Sequence, residues 1–596
     1  MKSDNYKITQ YSVSSILNYV ENSQIAIPEI QRPFVWKGEE VRALIDSLYE
    51  GYPIGYLIVW QNSQVRVRGF GKGGTKKILI DGQQRVTALM AALLGKEVLD
   101  EQYQSCRIRI AFNPLAQTGD ERFAVCDEKH EQDSKWIPDI SIFFRRDFSF
   151  RQFEKEYKEA NPGEDFTPLE ESVDTLKEIV KHQVGVIELS FLLDIDVVSE
   201  IFIRINLQGK PLNQEDFVMS KISVNEEYGG DYIRNCIDYF CHLLREPSFY
   251  QVLQQNETDF FNSEYGQAVA WCQNGEKNLY IPSYADVLKV VLISYFGKVR
   301  IGDLVHLLSG RTGEKKGLTK KEISKKLSEE SFEKLGAGVK AFVCEKNFKG
   351  FQKALKKAGY CCSRLLYSQS VLNYCYAMYL LMDRQGIGEE EKESLLARWM
   401  TMVMLTGHYQ SGGEGTVLKD YVNATEEGFA SYLAQIEELK LTEEFYDSIL
   451  PDKFASTTAR TAPFLVYVAT QCARGVHSLY SDVTIEELYK NKTESYQILP
   501  KTYLAKCGYK TREIYGQVAN LTYISKETKD IVKRKAPADY REKLEEVIGR
   551  EAITASLQEN GLTEKIFTAG EKDVTKILAD RRKQMALEIK EFYKTL

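Results

Sequence analysis

The sequence predicts an α+β fold for this chain of 596 residues. A short apolar run at residues 78–80 stops at an Asp-Gly turn and gives way to a helical pattern, so a buried strand leads directly into a helix. Further strands are predicted at 56–60 and 184–192. Residues 225–450 are a succession of amphipathic blocks with few strand signals. Mixed α and β structure is therefore expected first, followed by a mostly helical region.

Other N-terminal elements are predicted from capping and periodicity. Ser12 or Ser14 would lie near the start of the first helix, and Gly51 would close the second. The stretch 27–36 contains two prolines and is expected to be extended and irregular. The predicted helices are 7–22, 39–49, 148–181 and 197–205, and the predicted strand pair is 106–112 with 122–126.

The turn between the strand at 78–80 and its helix carries four polar side chains, Asp81, Gln83, Gln84 and Arg85. Backbone N–H groups at a helix N-terminus favour anions, and the forked guanidinium of Arg85 suits phosphate. The two amides can orient a water molecule or contact a base or ribose edge. The alternative is that Asp81 only caps the helix beside surface amides, which is common at such turns.

Three segments, in this order and spacing, resemble the DGQQR-motif domain of GmrSD-like restriction proteins. They are 27–36, 80–85 and 202–212, and the resemblance covers about the first 220 residues. It implies a ParB/sulfiredoxin-like fold and hydrolysis of a nucleoside triphosphate (NTP) in bacterial anti-phage defence. Ile203 stands where the family usually has Glu, which leaves the role of that position open.

The resemblance also implies a set of site residues. Asp81 would hold a water of Mg²⁺ or polarise the attacking water, and the arginines would hold phosphates. From the residues alone, a solvent loop and a helix stop explain the first and third segments as well. The implied nucleotide-binding residues outside the turn are Gln31, Arg32, Arg204 and Asn206.

The C-terminal region resembles the HNH-type nuclease domain that often accompanies this family. Such a nuclease needs a His as general base and His or Asn ligands for one divalent metal. Tyr496 and Gln497 stand where the family has two His, Asn520 is kept, and Lys529 replaces the later Asn. The last histidine of the chain is His477, so a rescued site would have to use it. We therefore expect a degenerate HNH-like domain that binds DNA or a partner, or serves as a scaffold.

A second histidine, His408, begins His-Tyr-Gln-Ser where the family usually shows an Arg-Tyr-Ser element. His408 could serve the nucleotide site, but a single His at the end of a helix is more often structural. The resulting domain prediction is 1–224 for the nucleotide-binding domain, 225–455 for a helical middle region and 456–596 for the HNH-like domain.

Composition restricts the classes of protein further. The net charge is −7, yet residues 481–596 carry 22 Lys and Arg against 19 Asp and Glu. The basic run 526–541 is the one plausible phosphate-facing patch, and a solvated helix face is the alternative. The eleven Cys lack a framework spacing, and no run of eighteen apolar residues occurs. These features predict a cytoplasmic protein with reduced thiols and no membrane partner.

Three hypotheses follow for function. The first is an Mg²⁺-dependent NTPase of a restriction or anti-phage system that acts on DNA, with an inactive HNH-like domain. The second is a module that senses a nucleotide or modified phage DNA without turnover. The third is an active, NTP-regulated DNA endonuclease, against which the missing His argues. A homo-oligomer or an effector partner is compatible with each hypothesis.

Overall fold

The fold was obtained as a computed structural model and divides into two compact units, residues 1–225 and 226–596. The separate HNH-like domain at 456–596 remains a prediction, because the contacts group it with the middle region. The structure describes residues 5–22, 24–26, 36–62, 76–99, 105–117, 119–191, 193, 197–198, 201, 214–223, 225–310, 320–410, 412–568, 570 and 572–596.

A five-stranded mixed sheet organises the first unit. Its strands are β1 (Tyr6–Ser12), β2 (Ile25–Ala26), β3 (Leu57–Asn62), β4 (Lys76–Asp81) and β9 (Gln183–Leu189). Their spatial order is β1-β9-β3-β4-β2. The outer pairs differ in direction: β1 is antiparallel to β9, whereas β2 is parallel to β4. In the centre β3 is parallel to β9 and antiparallel to β4.

The first predicted helix is partly wrong, because residues 6–12 form the edge strand β1 instead of helix. All seven residues of β1 pair with β9, so long-range pairing overrides the helical pattern there. Helix α1 begins only at Val13, where the Ser12 hydroxyl accepts a hydrogen bond from the Ser15 backbone N–H at 3.1 Å. Ser12 is thus the N-cap of α1, as predicted, and it is also the last residue of β1.

The remaining N-terminal elements follow the prediction more closely. In the predicted strand pair, only 110–112 pairs with 123–125, because residues 105–106 pair with 98–99 instead. The short strands are β5 (Val98–Leu99), β6 (Ser105–Cys106), β7 (Ile110–Phe112) and β8 (Phe123–Val125). The helices are α1 (Val13–Glu21), α2 (Gly38–Tyr49), α3 (Gln83–Leu93), Glu128–Gln132, Phe150–Ala160, Leu169–Glu178 and Gln214–Ser223.

The two faces of the sheet have different environments. On the inner face, Val59, Leu79 and Val186 pack with α1, α2 and α3 in the main core of the unit. On the outer face, Ile58, Trp60, Ile187 and Leu189 form a smaller cluster with Val198 and Ile201. Val198 and Ile201 therefore lie on the outer face.

The second unit is built almost entirely of helices, as the amphipathic blocks predicted. Its shorter turns include a π-helix at Phe445–Ile449. The helices of eight or more residues are Gly230–Leu243, Tyr284–Phe296, Ile301–Leu308, Lys320–Val343, Glu345–Lys357, Gln369–Arg384, Glu389–Thr406, Gly413–Glu427, Phe429–Lys440, Ala462–Ala473, Pro537–Ile548, Arg550–Glu559 and Val574–Tyr593. The shorter helices are Tyr250–Asn256, Thr258–Phe261, Glu264–Val269, Leu450–Lys453, Ile485–Lys490, Lys501–Lys506, Arg512–Tyr515, Lys526–Val532 and Lys565–Thr568.

The last helix, Val574–Tyr593, carries two buried charged side chains. Arg581 is 2% exposed and Glu588 is 6% exposed. Burial raises the pKa of the Glu588 carboxyl to about 7, against the opposing effect of the positive charges of Arg474 and Arg581. The carboxylate form of Glu588 is therefore held at a cost in the interior of the second unit.

All eleven cysteines are free thiols, as their scattered spacing predicted. Among the described residues, the helices are too short or too polar to cross a bilayer.

Candidate functional site

The candidate site lies where β4 ends at Asp81 and α3 begins at Gln83. Gly82 joins them with φ +94°, a left-handed conformation that residues with a Cβ rarely adopt. A Cβ at Gly82 would also lie only 2.2 Å from Cδ2 of Leu57 on β3. Glycine is therefore required here both by backbone conformation and by packing.

Arg85 ties this turn to the loop before β3. Its Nη2 donates to Oδ2 of Asp81 at 3.0 Å, and its Nη1 donates to the Ile54 carbonyl at 2.8 Å. Both side chains of the ion pair are mostly buried, with 19% of Arg85 and 23% of Asp81 exposed. A Cβ at Gly55, whose φ is +87°, would lie 2.7 Å from Nη1. Gly55 thus leaves the space that the guanidinium occupies.

Asp81 does not cap the helix, so that alternative is wrong. The N-cap is Gly82, which has no side chain to accept from the first-turn N–H groups of α3. The Asp81 carboxylate is instead aligned with Arg85. An uncapped helix N-terminus beside a guanidinium is an environment that favours an anion.

A β-bulge sets the direction of Asp81. Ile58 on β3 is in register with Asp81, but the next residue, Val59, is in register with Leu79. Ile80 is therefore an extra residue on β4, and such bulges re-aim the side chains next to them. The irregularity lies immediately before the polar turn.

The two glutamines of the turn are both half-buried. The Gln83 side-chain amide donates to the Leu79 carbonyl at 3.1 Å, which ties it back to the strand. One N–H of this amide is therefore engaged within the protein. Gln84 is the next residue along the helix.

Four of the predicted site residues, Gln31, Arg32, Arg204 and Asn206, lie outside the described residues. The described residues that precede them in the sequence include Ala26 and Val198. Because β2 is parallel to β4, the chain leaves Ala26 toward the end of the sheet that holds Asp81. Val198, shortly before the third segment, packs on the outer face with Ile58, the register partner of Asp81.

A second polar cluster, around Glu188 of β9, was not predicted from the sequence. Its side chain is 2% exposed, and its carboxylate lies 2.9 Å from Nζ of Lys7 and 2.6 Å from Nζ of Lys77. The Tyr11 hydroxyl also donates to it. Burial alone would raise the pKa of Glu188, but the hydrogen bonds from Lys7, Lys77 and Tyr11 outweigh it and lower this pKa to about 2. The cluster joins β1, β9 and β4 around one buried negative charge.

In the C-terminal region, the first two positions compared with the HNH family are structural. Tyr496 and Gln497 form a short strand that pairs with Leu521–Thr522. Burial raises the pKa of the Tyr496 phenol to about 12, so it stays protonated. The Gln497 amide donates to the Tyr515 carbonyl at 3.1 Å and accepts from the Lys501 backbone N–H at 3.1 Å.

The other two positions differ sharply in exposure. Asn520 is fully buried, and its side chain makes two hydrogen bonds to the backbone of Leu499 and one to the Tyr515 carbonyl. Lys529 is exposed on the helix Lys526–Val532. Within the part of the chain that the structure describes, groups of three or more His, Cys, Asp or Glu placed to hold a metal are absent.

The two histidines singled out from the sequence each contact a different carboxylate. The His408 side chain is 6% exposed, with Nε2 at 2.8 Å from Oδ2 of Asp420, inside the second unit. His477 is partly exposed, with Nδ1 at 3.1 Å from Oε1 of Glu559. Each histidine is therefore engaged with a carboxylate of its own unit.

The residues around Arg85 that sequence reasoning missed are Ile54 and Gly55. The signal that could have found them is Gly-x-Pro-x-Gly at 51–55, in which both glycines have positive φ. Such a stretch before a buried strand predicts a rigid turn that presents its carbonyl groups.

Comparison with known proteins supplies the assignment. The family model described as the N-terminal domain of the GmrSD restriction endonuclease matches residues 13–223. This range falls within the first compact unit and contains the strand-to-helix turn. A search of curated proteins gives no match. Residues 13–223 are therefore similar to the N-terminal domain of the GmrSD restriction family.

Proposed function

We propose that the first unit binds a nucleoside triphosphate with Mg²⁺ and hydrolyses it, as part of a restriction-type system that acts on DNA. The family of residues 13–223 supports the restriction system and DNA as its target. The observation that carries the nucleotide proposal is the placement of Arg85. Its guanidinium is fixed by Asp81 and Ile54 at an uncapped helix N-terminus.

Arg85 has the capacity to bind phosphate in this position. A guanidinium has five N–H donors, and the hydrogen bonds to Asp81 and Ile54 use two of them. Because the side chain is held from two sides, little rotamer entropy is lost when an anion binds. Arg85 would hold phosphate oxygens together with the first-turn N–H groups of α3.

The donor set at the turn fits Mg²⁺ better than a transition metal. The turn offers one carboxylate, Asp81, and the amide oxygens of Gln83 and Gln84. Mg²⁺ typically takes one or two carboxylates, keeps several waters and uses substrate phosphates for the rest. Asp81 would hold a water molecule of the Mg²⁺ ion. When bound, the ion would neutralise negative charge on the phosphates. The glutamines would orient the attacking water.

The described chain also supports a site shared with the other two segments. The chain leaves β2 toward the Asp81 end of the sheet, and Val198 packs beside Ile58 on the outer face. Gln31, Arg32, Arg204 and Asn206 follow these two points in the sequence. We propose that they complete the pocket.

A second candidate function, nucleotide sensing without turnover, is favoured by one observation. Asp81 is already paired with Arg85 at 3.0 Å, so one of its carboxylate oxygens is already engaged by the guanidinium. The HNH-like region would then act as an inactive module that docks DNA or an effector. Tyr496 and Asn520 support its inactivity, because one is a protonated phenol and the other is fully hydrogen-bonded to backbone.

Phosphate release from each of the four NTPs with Mg²⁺, with and without duplex DNA, tests the proposal. The variant Asp81→Asn removes the charge at the turn. Asp139→Asn is the matched control, because Asp139 is 19% exposed and pairs with Arg107 at 2.7 Å in the same unit. Turnover that Asp81→Asn loses and Asp139→Asn keeps would establish the NTPase.

The other outcomes are equally decisive. Binding of an NTP without phosphate release by the wild type would move the protein to the sensing class. Absence of NTP binding, in a wild-type protein that is folded, would refute both candidates. Turnover retained by Asp81→Asn would refute the role given to Asp81.

A further inference from the structure

We propose that Tyr56 is the surface on which the nucleobase of the bound nucleotide stacks. This inference rests on the proposed function, since it concerns the same nucleotide whose phosphates Arg85 would hold. It adds the part of the site that contacts the base. Tyr56 follows directly on Ile54 and Gly55, the two residues against which the Arg85 guanidinium is packed.

The ring of Tyr56 rests on the strand β9. Leu57 is in register with Val186, so Tyr56 lies beside Gly185. A Cβ on Gly185 would lie 2.6 Å from both Cδ1 and Cε1 of Tyr56. The ring therefore covers the backbone of Gly185, while the residue as a whole is 55% exposed. A glycine at this position leaves room for an aromatic ring to rest on the sheet.

The ring lies on the outer face of the sheet. Val184 and Val186 both belong to the inner core, and side chains alternate along a strand, so a Cβ at Gly185 would point outward. Ile58, two residues after Tyr56, also faces outward and is in register with Asp81. Tyr56 and Asp81 therefore share one end of the sheet.

The spacing suits a nucleotide. Ile58, the register partner of Asp81, lies two residues after Tyr56. Along an extended strand this corresponds to about 7 Å between the Tyr56 backbone and the strand position opposite Asp81. A nucleotide carries its base and its phosphates on different carbons of the ribose, so the two recognition elements must lie several ångströms apart. A single exposed aromatic residue needs no explanation by itself, but this one adjoins the loop that holds the phosphate-binding arginine.

Stacking predicts a particular kind of specificity. Every base has a π-face, so an aromatic platform binds all bases with similar strength. Tyr56 would accordingly contribute to affinity for all four NTPs and would not choose between them. It would contribute nothing to the binding of inorganic tripolyphosphate, which has no base.

Calorimetric titration of the full-length protein with Mg²⁺ and each NTP, or with tripolyphosphate, tests the inference. Tyr56→Ala should weaken all four NTPs by about 5- to 150-fold. It should leave tripolyphosphate within about twofold. Tyr56→Phe, which keeps the ring, should bind NTPs as the wild type does.

Tyr6→Ala is the matched control. Tyr6 is also 55% exposed and is in register with Leu189, so it lies on the outer face at the opposite end of the sheet. It should bind both ligands normally. Tyr56→Leu covers the case in which the alanine variant does not fold, because leucine fills space over Gly185 without a π-face; it should weaken NTPs as alanine does.

Two failures can be told apart. If the folded wild type binds neither an NTP nor tripolyphosphate, the proposed function fails and the inference fails with it. If the wild type binds NTPs and Tyr56→Ala, or Tyr56→Leu in its place, binds them equally well, only the stacking inference is overturned. Equal weakening of NTP and tripolyphosphate binding would also overturn it, because the residue would then act on the phosphates or on the loop.

Discussion

Arg85 reaches back across the strand-to-helix turn to Asp81, four residues earlier, and joins its Oδ2 at 3.0 Å. The pair does not lie on one helix, because Asp81 ends β4 and Gly82 turns the chain between them. The same guanidinium holds the Ile54 carbonyl, so one side chain fixes three separate stretches of chain.

Replacing Arg85 with Lys should abolish binding of tripolyphosphate and of NTPs. Lysine has one ammonium group and cannot hold Asp81, Ile54 and a phosphate from the positions that a planar fork reaches. We also expect a loss of about 1–2 kcal/mol in the free energy of unfolding, since two hydrogen bonds of a mostly buried cation are disturbed. Calorimetric titration and urea denaturation measure the two effects.

Arg107→Lys is the control for that experiment. Arg107 is 26% exposed, pairs with Asp139 at 2.7 Å, and also lies against a glycine, Gly95. It should show a comparable loss of stability with unchanged phosphate binding. Normal tripolyphosphate affinity in Arg85→Lys would contradict the role assigned to Arg85.

Glu188→Gln should destabilise the first unit at neutral pH by about 3 kcal/mol, because the pKa of Glu188 is lowered to about 2. A carboxyl whose pKa is lowered in the folded state stabilises above its unfolded pKa. The stabilisation is lost as the pH falls from about 4.5 toward 2. The difference between wild type and variant should therefore be full at pH 7 and shrink below pH 4.5, as measured by urea denaturation at several pH values.

Glu178→Gln provides the comparison for this pH series. Glu178 pairs with Lys181 at the surface, where the two side chains are 60% and 72% exposed. Such a pair contributes at most about 0.5 kcal/mol, so its removal should change the denaturation midpoint very little. A Glu188→Gln variant as stable as Glu178→Gln at pH 7 would contradict the network around Glu188.

Glu588→Gln should raise the free energy of unfolding at alkaline pH, whereas Glu188→Gln should lower it at neutral pH. Burial raises the pKa of Glu588 to about 7, so the folded state binds an extra proton between about pH 4.5 and 7. The stability contributed by the protonated carboxyl is full below that interval and is lost as the pH rises through 7. The glutamine variant should remove this dependence and be more stable than the wild type at pH 8, by up to about 3 kcal/mol.

Thermal denaturation between pH 5 and 8 measures that change. Glu591→Gln, on the same helix, is the control, because Glu591 is 58% exposed and pairs with Lys594. It should leave the pH profile as it is in the wild type. An unchanged profile in Glu588→Gln would mean that the buried carboxyl does not titrate in this range.

Asn520→Ala should destabilise the second unit by about 2–4 kcal/mol, because it leaves backbone groups of Leu499 and Tyr515 without partners in a fully buried site. Asn491→Ala, at an exposed position, should be nearly neutral. Urea denaturation compares the two variants. Metal-dependent nicking of plasmid DNA by the wild type, lost in a folded Asn520 variant, would contradict the structural role.

The parts of the fold that were predicted correctly are governed by local patterns. The strand, Gly82 turn and helix at 76–93 follow from a short apolar run, a turn residue and a 3.6-residue period, all within a few residues of each other. Residues 6–12 were misassigned because their conformation is set by pairing with β9, far away in sequence. Helical periodicity at that point could not reveal a partner near residue 189.

The candidate site shows the same division. Asp81 and Arg85 could be found from the sequence because they are packed into one turn. Ile54 and Gly55 could not, since a backbone carbonyl and an absent side chain leave little trace in residue types. Glu188 was missed because an acidic residue in an apolar strand has meaning only once Lys7 and Lys77 are seen beside it.

The position of β9 has a consequence for how the protein is made. It is the last strand of the main sheet in sequence, yet it lies between β1 and β3. A ribosome that has released only the first 180 residues has therefore released β1 with no neighbour and β3 with one open edge. The sheet can be completed only after about residue 189 leaves the exit tunnel. Until then β1 and the β3-β4-β2 part of the sheet remain separate, with edges that can pair incorrectly. A chaperone that shields β1 during this interval would raise the yield of folded protein, whereas truncation before residue 183 would leave an edge prone to aggregate.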